Sequence, residues 1–289
     1  MTNALLFPGQ GTQHIGMGKD LFAAFPDLTE LAEETLGYSL RRLCLEDPNS
    51  VLGHTRFTQP AVYTVNALAY RRHVLDGAAR ADVLLGHSLG EYNALEAAGV
   101  FDFATGLRLV AERARLMDAT PGGMVAVSGI DTDRLAEALR LIGTPSLHVA
   151  ALNTPHQTVL AGPEEALSQA TPRLHDAGAR AVTPLRVSGP FHTPYMSQAA
   201  EEFAATLMTV PHWHDPAAPV IANHTAQPHG APRIVTDLTR QIDRPVLWAR
   251  SIDRILDADP DTAFTEVGDS TTLLSFVRQI RRRRLTARH

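Results

Sequence analysis

Gly86-His87-Ser88-Leu89-Gly90 follows the apolar run Val83-Leu84-Leu85 and precedes a helix-forming stretch from Glu91 to Ala98. A G-x-S-x-G pattern set between a buried strand and a helix is a nucleophile elbow. Gly86 and Gly90 leave room for a sharp turn and for close helix–strand approach. The backbone N–H of Leu89 and the positive end of the following helix face charge developing on an attacked carbonyl. Ser88 is therefore the candidate covalent nucleophile.

Outward from the elbow, Ala4-Leu5-Leu6-Phe7 reads as a short buried strand ended by the Gly-rich turn Pro8-Gly9-Gln10-Gly11-Thr12-Gln13. Helices are expected over 20–25, 28–36 and 59–75, the last with Val62, Val65, Leu68 and Ala69 near an i, i+3, i+4 stripe. A strand over 82–85 and helices over 91–98 and 103–118 follow. Strands separated by helices, with few hairpin turns, predict a parallel α/β sheet.

The pattern changes at Thr120-Pro121-Gly122-Gly123. A strand over 124–130, a helix over 131–141 capped by Asp131, strands over 147–153 and 157–161, a helix over 164–177 closed by Gly178, and a strand over 181–187 follow in order. That β-α-β-β-α-β order is a ferredoxin-like unit. The expected fold is thus an α/β-hydrolase-like catalytic domain, residues 1–121 and 189–289, with a ferredoxin-like subdomain inserted over 122–188. Strands over 220–222 and 263–267 and helices over 233–243, 248–257 and from Thr271 complete the larger domain.

The net charge of -5 argues against a nucleic-acid scaffold and against attraction to anionic surfaces. The exception is the basic run from Arg278 to Arg288, read as a solvated, partly frayed tail. Cys44 is the one cysteine, so neither an internal disulfide nor a Cys-based metal site is available, and it reads as a packed helix position. The 13 histidines are scattered, and His212 and His214 flank Trp213 without a carboxylate at ligand spacing, so no metal is expected. The N-terminus lacks a basic n-region and no apolar run reaches membrane-spanning length, so a cytoplasmic location is expected. No exposed apolar stripe stands out, and a monomer is expected.

A serine hydroxyl needs a base within hydrogen-bond reach. His192, in the loop Ser188-Gly189-Pro190-Phe191-His192-Thr193 after the last inserted strand, is best placed to return over the cleft. His87 is the rival by adjacency, but neighbours at an elbow point apart, so it reads as a wall of the pocket.

Several segments occur in one order: Phe7-Pro8-Gly9-Gln10-Gly11-Thr12-Gln13, Thr58-Gln59-Pro60-Ala61, Gly86 through Tyr92, Arg113, Asn153-Thr154-Pro155-His156-Gln157 and Val187 through His192. Together they closely resemble malonyl-CoA:acyl carrier protein transacylases and polyketide synthase acyltransferases. The style is that of the stand-alone, trans-acting enzymes. The resemblance implies that Ser88 attacks an acyl-CoA thioester while His192 takes its proton and returns it to the leaving thiolate. It implies an oxyanion hole from the N–H groups of Leu89 and Gln10, and a backbone carbonyl orienting the histidine, matched here to Asn223. Arg113 takes the position that pairs the malonyl carboxylate, where a guanidinium fork gives two parallel hydrogen bonds. Phe191 matches the aromatic that crowds an α-methyl group, a discrimination worth about 1–3 kcal/mol. Gln59, Asn153 and Gln157 are expected along the cleft. No cofactor is implied: the acyl group arrives on CoA and leaves on the phosphopantetheine of an acyl carrier protein. Gly268-Asp269-Ser270 and Gly189-Pro190 depart from the family pattern and bear on acyl or carrier preference. Methylmalonyl or carrier-bound acyl transfer, editing hydrolysis, and a non-catalytic docking module are the competing readings. Arg113 speaks against hydrolysis, and intact Gln10, Ser88, Arg113 and His192 speak against the module.

Overall fold

The computed structural model describes residues 1–286. In chain order its elements are β1 (Asn3–Phe7), α1 (Lys19–Ala24), α2 (Pro26–Leu36), α3 (Leu40–Glu46), α4 (Thr55–Leu75), β2 (Val83–Gly86), α5 (Gly90–Ala97) and α6 (Phe103–Met117). There follow β3 (Gly123–Ser128), α7 (Thr132–Ile142), β4 (His148–Thr154), β5 (Gln157–Gly162), α8 (Glu164–Asp176) and β6 (Ala181–Pro184). The chain continues through α9 (Ser197–Leu207), β7 (Val220–Ile221), α10 (Ile234–Asp243), α11 (Trp248–Ala258), β8 (Ala263–Glu266) and α12 (Thr272–Thr286).

The first sheet is parallel, in the order β7-β2-β1-β8. Ala4, Leu5, Leu6 and Phe7 are buried on both faces, as are Val83, Leu84 and Leu85, which is why these strands are continuously apolar rather than alternating. The second sheet is antiparallel, in the order β4-β5-β3-β6, the ferredoxin-like arrangement that the element order predicted. Val125, Val127 and Leu160 pack with Leu135, Leu167 and Leu174 of α7 and α8 in their own small core. Met124, Ala151, Val159 and Ala161 join the core of the parallel-sheet layer instead. The antiparallel sheet is thus apolar on both faces, and one face is the wall of the central cleft.

The elbow joins β2 to α5 where packing is tightest. A Cβ on Gly86 would overlap the Gly90 carbonyl, and one on Gly90 would overlap the Phe7 carbonyl. Only glycine lets the three backbones approach this closely.

Three differences from the sequence reading are local. Helix α4 starts at Thr55 rather than 59, because Pro60 sits inside it and forgoes one interior hydrogen bond instead of marking the first turn. The strand expected over 181–187 ends at Pro184; Leu185 still donates to the Met124 carbonyl at 2.9 Å, and Leu185 and Val187 line the cleft. Helices α3 and α9 had no assignment apart from Cys44, which is buried in α3 with its thiol pushed up to about 12 by burial. A fourth difference concerns the basic C-terminal run, which is not frayed through Thr286 but forms α12. Arg281 donates to the Thr262 carbonyl and lies over the Phe264 ring, and Arg284 pairs with Asp253 at 2.9 Å and Asp257 at 2.5 Å. Arg288 lies outside the described residues. No helix among the described residues is long and apolar enough to cross a membrane.

Candidate active site

Ser88 sits between β2 and α5 with φ of 52°, in the left-handed region. A non-glycine residue there costs about 1–2 kcal/mol and needs outside anchors. Two side chains supply them. The Ser88 N–H donates to Asn223 Oδ1 at 2.7 Å, and the Ser88 carbonyl accepts from Gln241 Nε2 at 2.7 Å. Asn223 also donates to the Gly86 carbonyl at 2.7 Å, bracing the turn from both sides.

His192 arrives on the loop after β6, also in the left-handed region at φ 60°. Its Nε2 lies 2.6 Å from Ser88 Oγ, and its Nδ1 lies 2.7 Å from the Gln241 carbonyl. A carbonyl only accepts, so Nδ1 carries the proton and Nε2 is free to receive the serine's. Burial, then the Arg113 charge, pushes the imidazole down to about 3, so it is a neutral base at pH 7.

Arg113 projects from α6 and is 1% exposed. Its guanidinium donates to Gln59 Oε1, to Gln241 Oε1 at 3.0 Å and to Ser88 Oγ at 3.2 Å. It lies over the Tyr92 ring, 5.4 Å from the centroid. No carboxylate among the described residues forms an ion pair with it, and burial lowers its pKa. A buried cation held by amide oxygens beside a nucleophile is a receptor for an anion.

These groups open on a cavity of about 300 Å³ walled by Phe191, Met117, Met124, Val159 and Phe276. The turn after β1 lies against the elbow, since a Cβ on Gly9 would overlap the His87 carbonyl. Among the described residues, neither the Gln10 nor the Leu89 N–H donates to a protein group. Both stay available to an oxyanion. The Gln10 side chain is held by Thr55 Oγ1 at 2.7 Å. The serine, the neutral base, the free N–H groups and the fixed cation together suit transfer of an acidic acyl group.

The acyl transferase domain model matches residues 4–284. The chain belongs to the acyl transferase domain family. It is 46% identical over 280 residues to the polyketide biosynthesis malonyl CoA-acyl carrier protein transacylase BaeC of Bacillus velezensis, covering 96% of each protein. The crystal structure of a malonyl CoA-acyl carrier protein transacylase from Burkholderia pseudomallei is 44% identical and superposes with a TM-score of 0.93 over 98% of both chains. A malonyl-transacylase solved with AntF, a type II polyketide synthase acyl-carrier protein, is 32% identical with a TM-score of 0.90, covering 97% of this chain and 93% of that one.

Of the residues singled out from the sequence of this acyl transferase, Gln10, Gln59, His87, Ser88, Leu89, Arg113, Asn153, Gln157, Phe191 and His192 all line the one cavity. His87, Asn153 and Gln157 form a hydrogen-bonded rail along its wall, at 2.8 and 3.0 Å. The assignment of the orienting carbonyl to Asn223 is corrected. Gln241 provides it, and Asn223 instead binds the Ser88 N–H from outside the cavity. Gln241 was not foreseen, although it left a trace. On α10, Ile234, Leu238 and Ile242 make an apolar stripe, and Asp237 and Gln241 are polar residues buried on that same face.

Proposed function

We propose that this acyl transferase moves a malonyl group from malonyl-CoA to the phosphopantetheine thiol of an acyl carrier protein, in trans for a polyketide synthase. The observation that carries the reading is the buried Arg113 guanidinium, unpaired by any carboxylate among the described residues and 3.2 Å from Ser88 Oγ. A malonyl carboxylate is the anion that brings its own thioester within reach of that serine.

In the first half-reaction Ser88 Oγ attacks the thioester carbon and its proton passes to His192 Nε2. The Gln10 and Leu89 N–H groups receive the oxyanion. The C–S bond breaks, and His192 returns the proton to the CoA thiolate. In the second, the phosphopantetheine thiol gives its proton to His192 and its sulfur attacks the acyl carbon. The C–O bond to Ser88 breaks and the proton returns to Oγ. The Gln241 carbonyl holds the tautomer throughout, and Nη2 of Arg113 offsets negative charge on Oγ. No resident cofactor enters either step. Phe191 narrows the cavity beside His192, which supports malonyl over methylmalonyl. His87, Gln59, Asn153 and Gln157 shape the acyl side of the cleft.

We also infer that residues 122–188 form an inserted small domain and residues 1–121 and 189–289 the large one, a division supported by the separate core under α7 and α8.

The test is intact-mass measurement after mixing with malonyl-, methylmalonyl- and acetyl-CoA, then with a carrier protein. Malonylation at Ser88, absent in Ser88→Ala, followed by transfer to the carrier is expected. Faster hydrolysis than transfer, or preference for an uncharged acyl group, would refute it.

A further inference from the structure

Glu91 is fully buried one turn beyond the nucleophile, and the mechanism above makes no use of it. Its Oε2 accepts from Gln241 Nε2 at 3.0 Å and from the Asn223 backbone N–H at 3.2 Å. Those two residues are the ones that clamp Ser88, one at its carbonyl and one at its N–H. Gln241 divides the two hydrogens of its amide between the Ser88 carbonyl and Glu91. Its own carbonyl orients His192, and its side-chain oxygen accepts from Arg113. The strained elbow, the base and the cation are thus held by one glutamine, and one carboxylate holds that glutamine.

Behind Glu91 stands His229, whose side chain is equally buried. Its Nε2 lies 2.6 Å from Glu91 Oε1, and its Nδ1 lies 3.4 Å from Asp237 Oδ2 on α10, an ion-pair separation. A carboxylate thus faces each nitrogen, at hydrogen-bond distance on Nε2 and at ion-pair separation on Nδ1, a setting that favours the doubly protonated ring. Asp237 is further bound by His224 at 3.1 Å and Arg233 at 3.2 Å.

We propose that Glu91 is the positioning residue of the active site, acting through Gln241 and Asn223 on Ser88 and His192, with His229 as its buried counter-ion. The assignment rests on the acyl-transfer reading for the reaction it serves, but the holding geometry does not depend on which acyl group is carried. Burial lowers the His229 pKa, but the facing carboxylates of Asp237 and Glu91 outweigh this and lift it to about 9. Glu91 therefore keeps a charged partner without contact with water.

Two conservative variants separate position from charge. Glu91→Gln keeps the reach and the acceptor for Gln241 and Asn223. Glu91→Asp keeps the charge but draws the carboxylate back by one methylene. An ångström of misplacement at a reacting group costs on the order of a hundredfold. The expected result for Glu91→Asp is a kcat for malonyl transfer lower by about ten- to a hundredfold, with KM within about threefold. Glu91→Gln is expected to stay within about fivefold of the parent kcat. Labelling of Ser88 by phenylmethanesulfonyl fluoride, followed by intact mass, should show the same ranking. That probe contains no malonyl group, so it reports on the elbow even where the malonyl reading fails. Nitrogen NMR should find both His229 nitrogens protonated at pH 7.5 in the parent, and a lower His229 pKa in Glu91→Gln. Parent-like rates in Glu91→Asp, or equal impairment of folded Glu91→Gln, overturns the positioning role. A neutral His229 at pH 7.5 overturns the counter-ion.

Discussion

Replacing Arg113 by alanine tests the recognition of the acyl group most directly. In the free enzyme the guanidinium is bound to Gln59, Gln241 and Ser88 Oγ, so a malonyl carboxylate exchanges neutral acceptors for a charged one. A hydrogen bond to a charged group contributes about 1.5–3 kcal/mol, and discounting two of them for the partners given up leaves about 2–4 kcal/mol. At 1.36 kcal/mol per decade, kcat/KM for malonyl-CoA should fall by about 30- to 900-fold. Acetyl-CoA has no carboxylate and loses only the contact to Oγ, so its kcat/KM should change by less than about fivefold. The assay is single-turnover acylation of Ser88 by intact mass with each thioester, run where circular dichroism shows the variant folded. Removing a buried cation that has no carboxylate partner should leave Tm within a few degrees, because its desolvation cost disappears with it. Equal losses for malonyl and acetyl would refute the reasoning, since they would make Arg113 part of the nucleophile's machinery alone.

His192 is neutral down to about pH 3, so kcat/KM for malonyl-N-acetylcysteamine should be flat from pH 8 to below pH 5; an acid limb near 6.5 would contradict this. In Arg113→Ala the neighbouring positive charge is gone, so the His192 acid limb should move upward from about 3, read from the same pH–rate profile. His229 has a folded pKa of about 9, above its unfolded value, so its contribution is complete below about pH 6.5 and is lost as pH rises through 9. Denaturation between pH 7 and 10 should reveal a loss of about 3 kcal/mol in the parent and a smaller one in His229→Gln. Gly90→Ala forces a Cβ into the Phe7 carbonyl and should cost at least about 2 kcal/mol in urea unfolding.

Local chemistry made much of this protein readable. The elbow is a five-residue pattern whose Gly86 is required by a backbone contact within the same strand–turn–helix unit and whose Gly90 is required where α5 meets the end of β1, so most of its geometry travels with its sequence. The ferredoxin-like unit was equally legible, because period-2 and period-3.6 patterns with an Asp131 cap and a Gly178 stop are written into consecutive residues. Asn223 was placed near the site but given the wrong task, since nothing local distinguishes a side chain that binds Ser88 from a carbonyl that binds His192.

The sequence by itself determined the nucleophile, the alternation of strands and helices, and the set of residues that would face one cleft. The first two are properties of short segments, decided by backbone sterics and hydrophobic period, and the third followed from the resemblance of ordered motifs to a known family. Only the tertiary structure decided that Gln241, 153 residues from Ser88, ties serine, base and cation together. It also decided that Glu91 and His229, 138 residues apart, are buried against each other at 2.6 Å rather than facing water. A polar side chain carries no mark of its burial. The work of Glu91 and His229 comes from the partners that packing brings within 3.4 Å, and those partners are set by the whole fold at once.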